Sequence, residues 1–383
     1  MSFWDDLYSR DQPVIGMSPM DGVTDGPFRY MVAKYGRPDV IFTEFVSVDG
    51  LHFAEGVKRE RMLKEFIKAK DLMDICGSEY FAQKSGLSES TDSATSSSAY
   101  PACAKFFDCK IPPRHINPPY EIAQVFGNKP EYFVEAAKLI ESLGFDGVDI
   151  NMGCPAKNVS ENGCGAALIK MPKLAQEIIL ATKAATKLPV SVKTRIGVSS
   201  SSEMEEWIHA LCEVKPANIS LHGRTLKQLY QGVADWETIG RAAEIVHKAG
   251  LRLLGNGDVK NMQEANEKVV RYGVDGVLVG RAAEGNPGIF NQCTPMTNKQ
   301  MCTNMEPSRE QRLAWAIEHA QVYEKVFKPQ NPSPDDVRWF LPMRKHLAWY
   351  AHGFPGAVEL RMSLMKTKNA DEVRDLVEKS LSN

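Results

Sequence analysis

The sequence predicts a (β/α)₈ barrel followed by a small all-α domain. Eight short apolar runs recur along about 280 residues, and helix-length segments with one apolar face separate several of them. Continuous runs of Val, Ile and Leu are typical of parallel strands, because both faces of a parallel sheet are covered by helices. Eight repeats of this unit favour a closed barrel over the alternative, a doubly wound open sheet.

The predicted strands and helices follow one another along the chain. The apolar runs predict strands over residues 14–18, 39–45, 122–126, 147–151, 189–195, 218–222, 251–255 and 274–280. Amphipathic segments predict helices over residues 131–143, 173–186, 203–214, 236–249 and 262–272. In the first of these helices, Phe133, Ala136, Ala137 and Ile140 share one face at helical spacing.

Residues 71–113 do not fit the repeat. This stretch is rich in Ser and Thr and has no sustained period, which predicts a mobile surface insertion between the second and third units. An alternative is a metal site formed by Cys76, Cys103 and Cys109 with His115. The composition favours a solvated loop.

A second, helical region is predicted from Glu306 to the end of the chain. Its apolar residues Phe340, Met343, Leu347 and Tyr350 recur at helical spacing, and prolines separate its segments. We therefore expect a barrel domain over residues 1–295 and a helical domain over residues 306–383.

Composition and charge exclude several classes of protein. The formal net charge is −2, so any basic surface for a nucleic acid must be local. The first residues do not resemble a signal peptide, and no apolar run approaches the roughly 18 residues of a membrane span. Eight cysteines occur without CxxC pairs, which predicts free thiols in the cytoplasm and no zinc site.

Polar side chains collect at the C-terminal ends of the predicted strands, where barrels of this kind build their active sites. The residues in question are Gln124, Asn151, Cys154, Lys193, Arg195, His222, Arg224, Asn256, Asp258 and Arg281. Any one of them could be a solvated charge or a core residue. Polar side chains at the ends of six predicted strands together predict a functional site.

The last two strands are followed by glycine-rich loops, GNGDVKN and VGRAAEGNP. Loops at these positions commonly bind phosphate through free backbone N–H groups, and Arg281 adds a charged fork. The pattern predicts a phosphate-bearing cofactor or substrate.

Cys154 follows the fourth strand directly, between Gly153 and Pro155. A cysteine at this position can act as an acid, a nucleophile or a metal ligand. Cys164, ten residues later, is a competitor that spacing alone does not exclude. We favour Cys154 because of its place at a strand end.

Several motifs together resemble the tRNA-dihydrouridine synthases. They are SPMDGVTDGPFR (18–29), FTEFVS (42–47), DINMGCPAKNV (149–159), SVKTRIG (191–197), LHGRT (221–225), ADW (234–236), NGDV (256–259) and VGRAAEGNP (279–287). The segment RKHLAWYAHGFPGAVELR (344–361) is similar to the C-terminal domain of bacterial, B-like members. The insertion at 71–113 is not part of the usual pattern.

The resemblance implies an FMN-binding barrel with a helical, tRNA-binding domain. Such an enzyme reduces the C5=C6 bond of specific uridines in tRNA, with NADPH as reductant. By motif, Cys154 would give a proton to C5 while the reduced flavin gives hydride to C6, and Asn151 would hold the base. The residues implied to hold FMN are Pro19, Met20, Gln124, Lys193, His222, Asn256, Gly257, Asp258, Gly280 and Arg281. The scheme requires a neutral thiol at Cys154.

A local basic bias near the C-terminus predicts where RNA binds. Residues 338–368 contain six basic residues and only one acidic residue, Glu359. With Arg195 at the barrel mouth, the expected RNA-binding set is Arg195, Arg338, Arg344, Lys345, Arg361, Lys366 and Lys368. The alternative is an ordinary solvated helix face.

Two rival functions remain open from sequence alone. One is an FMN barrel that acts on a free pyrimidine, and the other is an RNA-binding protein without catalysis. The basic C-terminal region disfavours the first, and the intact set Cys154, Asn151, Lys193 and His222 disfavours the second. We expect a monomer without membrane or metal partners.

Overall fold

A computed structural model describes residues 2–74, 119–291, 306–330 and 336–382. Most of the predicted insertion falls outside these ranges, as do Cys76, Cys103, Cys109 and His115. The loop and the alternative metal site predicted there therefore stay predictions.

Eight parallel strands close into a barrel in sequence order. The strands are β1 Val14–Met17, β2 Val40–Ser47, β3 Tyr120–Phe126, β4 Gly147–Met152, β5 Val190–Arg195, β6 Ile219–His222, β7 Leu253–Asn256 and β8 Gly276–Val279. Closure is direct, because β1 pairs with β8 from Val14 opposite Gly276 to Met17 opposite Val279. The (β/α)₈ barrel is confirmed, and the open doubly wound sheet is excluded.

The described helices cover the outside of the barrel and continue beyond it. They are α1 Phe3–Tyr8, α2 Gly26–Tyr35, α3 Val48–Phe53, α4 Gly56–Leu63, α5 Pro130–Ser142, α6 Lys157–Ser160, α7 Pro172–Ala185, α8 Met204–Glu213, α9 Trp236–Lys248, α10 Met262–Tyr272, α11 Arg309–Phe327, α12 Met343–Tyr350, α13 Ala357–Leu364 and α14 Ala370–Leu381. Short 3₁₀ turns cover residues 64–66, 165–170, 201–203, 281–283 and 287–291. The five predicted helices are confirmed within about one residue at each end.

The inside of the barrel has an apolar end and a polar end. At the N-terminal ends of the strands, Trp4 and Leu7 of α1 pack in one cluster with Val14, Phe42 and Leu254. This arrangement closes the floor of the barrel with apolar contacts. At the C-terminal ends of the strands, the interior is lined by polar side chains.

The C-terminal helices pack against α2 and share its apolar core. The ring of Phe28 on α2 lies 5.8 Å from that of His319 on α11 and 5.3 Å from that of His346 on α12. On α11, the Glu318 carboxylate accepts hydrogen bonds from Tyr30 at 2.8 Å and Lys34 at 2.6 Å. These contacts hold α11 and α12 firmly on the barrel.

The apolar stripe predicted in this region is fully buried. Phe340, Met343, Leu347 and Tyr350 all lie in the core. Phe340 precedes α12, which begins at Met343, so it belongs to the turn before that helix. Among the described helices, none combines the length and the apolar character that a membrane span requires.

Candidate active site

The turn after β4 is organised by Asn151. Its side-chain Oδ1 accepts from the backbone N–H of Gly153 at 3.0 Å and from that of Cys154 at 2.8 Å. Its Nδ2 donates to Oε1 of Gln124 at 3.0 Å. Asn151 is buried, and the second N–H of its amide has no partner among the described residues.

Below Asn151 a polar chain crosses the barrel interior. Gln124 donates from Nε2 to Oδ2 of Asp149 at 2.7 Å, and the Ser191 hydroxyl donates to Oδ1 of Asp149 at 2.6 Å. Gln124 and Asp149 are both completely buried. Gln124, which we expected to contact the cofactor, therefore lies one layer below the barrel mouth with both ends of its amide bonded to protein.

Cys154 lies in a small apolar cluster with Val159 and Cys164, next to Phe45 and Phe126. Burial raises the pKa of the Cys154 thiol, although the N–H of Ala156 and the charges of two neighbouring cations oppose this. The thiol is therefore neutral at physiological pH. This agrees with the protonation state that a proton donor needs.

The two cysteines of this cluster differ in their charged neighbours. The thiol of Cys154 is influenced by Lys193, Arg195 and Asp21 at the barrel mouth. Burial raises the pKa of Cys164 to about 11, the charge of Asp49 acts in the same direction, and its Sγ–H points to the carbonyl oxygen of Asn162 at 3.6 Å. The charged groups of the site therefore act on Cys154, whereas Asp49 is the charged residue that acts on Cys164.

A group of cations surrounds His222 at the barrel mouth. Burial, together with the charges of Lys193, Arg195, Arg224 and Arg281, holds the pKa of His222 well below its usual range. The imidazole is neutral, and the local field is strongly positive. Such a field favours an anionic ligand.

Lys193 is the cation at the centre of this group, opposite Asn151 in the β4–β5 register. Burial and the nearby Arg195 lower the pKa of Lys193 to about 8, although Asp149 acts in the other direction. Its amine has no hydrogen-bond partner among the described residues. Lys193 is therefore a half-buried charge available for a ligand.

Asp258 joins two arginines at the predicted phosphate loop. Its carboxylate accepts from Arg224 at 2.7 Å and from Arg281 at 2.9 Å. Asp258 itself has φ of +51°, a left-handed conformation that a non-glycine residue rarely adopts. The Arg281 side chain stays largely exposed, so it is held at the mouth with N–H groups free for an incoming phosphate.

Two glycine-rich turns flank this ion pair. Gly257 has φ of +125°, and a Cβ there would lie 2.6 Å from that of Ala234 and 3.0 Å from Cδ2 of His222. Close packing in this loop therefore requires glycine. Asn256 donates from Nδ2 to the carbonyl oxygen of Leu278 at 2.9 Å, which ties the ends of β7 and β8 together.

The loop after β1 completes the rim. A Cβ on Gly280 would lie 3.4 Å from Sδ of Met20, so the ends of β1 and β8 meet there. The Thr24 hydroxyl accepts from the backbone N–H of Met20 at 3.0 Å. Pro19 lies beside Met20 and is half-buried.

Arg195 does not lie where an RNA phosphate could reach it. Only 3% of the residue is exposed, and its guanidinium donates to the carbonyl oxygens of Gly153, Thr225 and Leu229 at 2.7, 3.1 and 3.0 Å. It braces the Cys154 turn against the loop after β6. The placement corrects our expectation that Arg195 binds RNA.

The basic residues near the C-terminus separate into two groups. Arg338, Lys366 and Lys368 are exposed, and Arg338 pairs with Asp336 at 2.9 Å. The half-buried members are Arg344, Lys345 and Arg361. Arg344 donates to the carbonyl oxygen of Thr367 at 3.0 Å, and a Cβ on Gly22 would lie 3.0 Å from Nζ of Lys345. Lys345 thus reaches the barrel, and Arg344 supports the C-terminal helices.

Comparison with known proteins identifies the family to which the chain belongs. The sequence model of the family described as "Dihydrouridine synthase (Dus)" matches residues 16–80 and 111–383. The chain belongs to the dihydrouridine synthase family. It is therefore an enzyme, an oxidoreductase, and the resemblance drawn from the motifs is confirmed.

Individual relatives of this chain carry names of the same kind. "Probable tRNA-dihydrouridine synthase" of Staphylococcus aureus (strain COL) is 31% identical over 379 residues, which is 98% of this chain and 95% of the relative. "Probable tRNA-dihydrouridine synthase 2" of Bacillus subtilis (strain 168) is 31% identical over 98% of this chain and 96% of the relative. Among solved structures, morphinone reductase is 12% identical, with a TM-score of 0.45 over 75% of this chain and 87% of its own.

Two residues of the candidate site were missed by sequence reasoning. Arg224 was noted at a strand end but was not assigned to the cofactor set, although it pairs with Asp258 and borders His222. Asp149 received no role. A carboxylate within a strand predicted to be buried was a signal that could have marked it.

A second polar cluster lies away from the barrel mouth, between α2 and the C-terminal helices. A carboxylate oxygen of Asp25 and ring nitrogens of His319 and His346 lie within 4.8 Å of one another, with Asp25 and His346 3.9 Å apart. The 3.9 Å between Asp25 Oδ2 and His346 Nε2 is wider than the roughly 3.4 Å between two ligands of a tetrahedral ion with bonds of about 2.1 Å. The spacing alone is therefore no evidence for a metal ion at this cluster.

Proposed function

We propose that this enzyme is a tRNA-dihydrouridine synthase that uses FMN and NADPH to reduce specific uridines of tRNA to 5,6-dihydrouridine. The observation that carries the proposal is the buried, neutral thiol of Cys154, held by Asn151 at a barrel mouth lined with cations. The names of the relatives support tRNA as the substrate, and the match covers almost the whole length of those relatives.

The residues at the mouth fit a flavin mononucleotide. Its phosphate needs cations and free N–H groups, which Arg281 and the turn at Gly280 offer. Its ring needs a polar partner and a flat place to lie, and the unpartnered Lys193 amine and the neutral His222 face this space. Met20, Pro19 and the strand end at Asn256 would form the remaining wall. Gly257 and Asp258 would act indirectly, by holding His222 and the two arginines.

When bound, FMN would supply the hydride that adds to C6 of the uracil ring. The chain's own contribution is the proton. The Sγ–H bond of Cys154 breaks as the C5–H bond forms, and the charges of Lys193 and Arg195 stabilise the thiolate that is left. NADPH supplies the two electrons, so one hydride and one proton are consumed for each uridine.

Asn151 has one amide N–H left to hold the base. Its Oδ1 and one N–H are already committed within the protein. The remaining N–H can donate to a carbonyl oxygen of uracil at the end of β4. A uridine must leave its stack to reach this position, at a cost of a few kcal/mol that favours the flexible loops of tRNA.

The C-terminal helices would position the tRNA. We assign phosphate contacts to the exposed Arg338, Lys366 and Lys368, and a supporting role to Arg344 and Arg361. Lys345 lies between the helices and the barrel, where it could meet the extruded nucleotide. A domain boundary between residues 295 and 306, a monomeric state and a cytoplasmic location complete the proposal.

A comparison of substrates distinguishes the proposed function from that of an enzyme that acts on free pyrimidines. The FMN-loaded protein with NADPH is incubated with unmodified tRNA, with uridine and with uracil, and NADPH oxidation is followed. We expect turnover with tRNA alone. Faster oxidation with uridine or uracil than with tRNA would instead identify a small-molecule reductase.

A further inference from the structure

A continuous chain of hydrogen bonds connects Asp149, deep in the barrel, to the turn of Cys154. Ser191 and Gln124 donate to the two carboxylate oxygens of Asp149 at 2.6 and 2.7 Å. Asn151 donates to Gln124 at 3.0 Å and accepts from the backbone N–H of Cys154 at 2.8 Å. Four hydrogen bonds thus join residues of β3, β4 and β5.

The direction of these bonds is fixed from both ends. The Asp149 carboxylate only accepts, so Gln124 must present Nε2 to it and Oε1 to Asn151. The backbone N–H of Cys154 only donates, so Asn151 must turn Oδ1 to it and Nδ2 to Gln124. The two requirements agree, and neither amide can flip without facing a like group.

We propose that Asp149 is a positioning residue that, through Gln124, fixes the orientation of the Asn151 amide. The fixed amide holds the backbone of Cys154 in its turn and directs the free N–H of Asn151 toward the barrel mouth. The effect of Asp149 on turnover rests on the proposed function. Its hold on the Cys154 turn does not.

Burial makes this chain costly to break. Asp149 and Gln124 are fully buried, so an atom that loses its partner is not rescued by water. Burial raises the pKa of Asp149 to about 6, with Ser191, Gln124 and Lys193 acting in the other direction. The carboxylate is therefore ionised at neutral pH, which is the state that gives the chain its direction.

Conservative and radical substitutions of Asp149 should differ in how much of the hydrogen-bond chain they preserve. Asp149→Asn keeps an oxygen for Gln124, and its new N–H can donate to the Ser191 hydroxyl, which rotates to accept. One of its two amide orientations thus preserves the chain. Asp149→Ala removes the acceptor of Gln124 Nε2, so Gln124 is held only through Asn151 and the chain is fixed from one end alone.

The first test measures the Cys154 turn directly. The protein is alkylated with iodoacetamide, and modification of the peptide that contains Cys154 is followed by mass spectrometry. We expect Asp149→Ala to raise the rate about tenfold, with Asp149→Asn in between. Asn218→Ala is the matched control, because Asn218 is also buried inside the barrel but bonds to Ser220 and Tyr8 instead. An increase no larger than in the control would overturn the proposal.

The second test replaces the hydrogen-bond donor between Gln124 and Asp149 with an acceptor. Gln124→Glu places two carboxylates against each other, with Lys193 as the nearest cation, and removes the donor to Asp149. As the pH falls from 8 to 6, a shared proton should restore that donor. The Cys154 alkylation rate of this variant, divided by that of the wild type at each pH, should then fall toward one. A ratio that does not change with pH contradicts the proposed direction.

Turnover supplies the third measurement. Asp149→Ala should lower kcat about tenfold and leave KM for tRNA unchanged, because the RNA contacts lie elsewhere. An effect on KM alone would contradict a role in positioning. If the wild type forms no dihydrouridine but the alkylation results hold, the proposed function fails and the positioning role stands.

Discussion

Gly165 lies directly against Cys154. A Cβ built on Gly165 would lie 3.2 Å from the Cβ of Cys154 and 2.9 Å from its carbonyl oxygen, and Gly165 has φ of +59°. The backbone N–H of Ala166 donates to the same carbonyl oxygen at 3.2 Å. The segment after α6 therefore forms the support on which the Cys154 turn rests.

This contact predicts that Gly165→Ala displaces Cys154 and lowers the rate of dihydrouridine formation about tenfold or more. Gly163→Ala is the matched control. Gly163 also has positive φ, at +72°, but its nearest neighbour to an added Cβ is 3.5 Å away on Asn128. Both variants carry similar backbone strain. Equal losses of activity in the two would show that strain, and not contact with Cys154, is responsible.

Cys154→Ala should keep FMN and its reduction by NADPH, yet lower dihydrouridine formation by about 10²- to 10⁴-fold, the usual contribution of a positioned acid. Flavin reduction is followed by absorbance, and product by nucleoside mass spectrometry. Cys164→Ala is the control and should stay within a few-fold of the wild type. The opposite result would move the proton donor to Cys164.

The affinity for FMN should fall as the pH rises through about 8. Lys193 has a pKa lowered to about 8, so its charge is present below that pH and is lost above it. We expect a loss of about tenfold, which corresponds to about 1.4 kcal/mol, in a fluorescence titration of the apoprotein. Lys193→Arg should remove the pH dependence. Its persistence in that variant would point to another group.

Exposed lysines of the C-terminal region should bind tRNA phosphates. Replacing both Lys366 and Lys368 with Ser should weaken binding to all tRNAs and reduce the salt slope, by about 0.7–0.9 for each phosphate that the protein no longer neutralises. Filter binding over a range of salt concentrations measures both. Lys248 and Lys260, which are exposed lysines on the barrel, provide the control pair. An unchanged slope in the Lys366 and Lys368 variant would place RNA recognition elsewhere.

Glu318 should matter for stability, because it anchors α11 to three side chains of α2. Glu318→Ala leaves Tyr30, Lys34 and Tyr35 without this acceptor. We expect the free energy of unfolding to fall by about 1–3 kcal/mol, measured by chemical denaturation. Glu378→Ala removes the same charge from an exposed position of α14 and should cost less than about 0.5 kcal/mol. Similar losses in both would exclude a specific anchor.

Because the C-terminal helices pack against α2, deleting them is a poor way to separate RNA binding from catalysis. Removing residues 306–383 would expose Phe28, which contacts His319 and His346. A truncated protein would therefore lose part of the barrel's own core. Surface substitutions are the sharper test.

The strand-end rule found much of this site from sequence. Lys193, His222 and Arg281 come together as expected, because parallel strands bring their C-terminal ends to one rim. Cys154 could also be placed from its position after β4. These results depend only on strand order and direction, which the apolar runs reveal.

Other residues of the site depend on contacts that sequence does not show. Arg195 lies at a strand end, but two of the three carbonyl oxygens that bind it belong to a loop about 30 residues later. The contact of Gln124 with the cofactor stays a prediction, and its bond to Asp149 on the next strand could not be read from the sequence. The direction of a long polar side chain is decided by such tertiary partners.

The most direct test of the central claim is dihydrouridine formation itself. The purified, FMN-loaded protein is incubated with NADPH and tRNA from cells that lack this modification, and the nucleosides are analysed by mass spectrometry. Our account predicts that uridine gains two mass units at specific positions, at the expense of NADPH. Reduction of the flavin by NADPH with every tRNA left unmodified would contradict it.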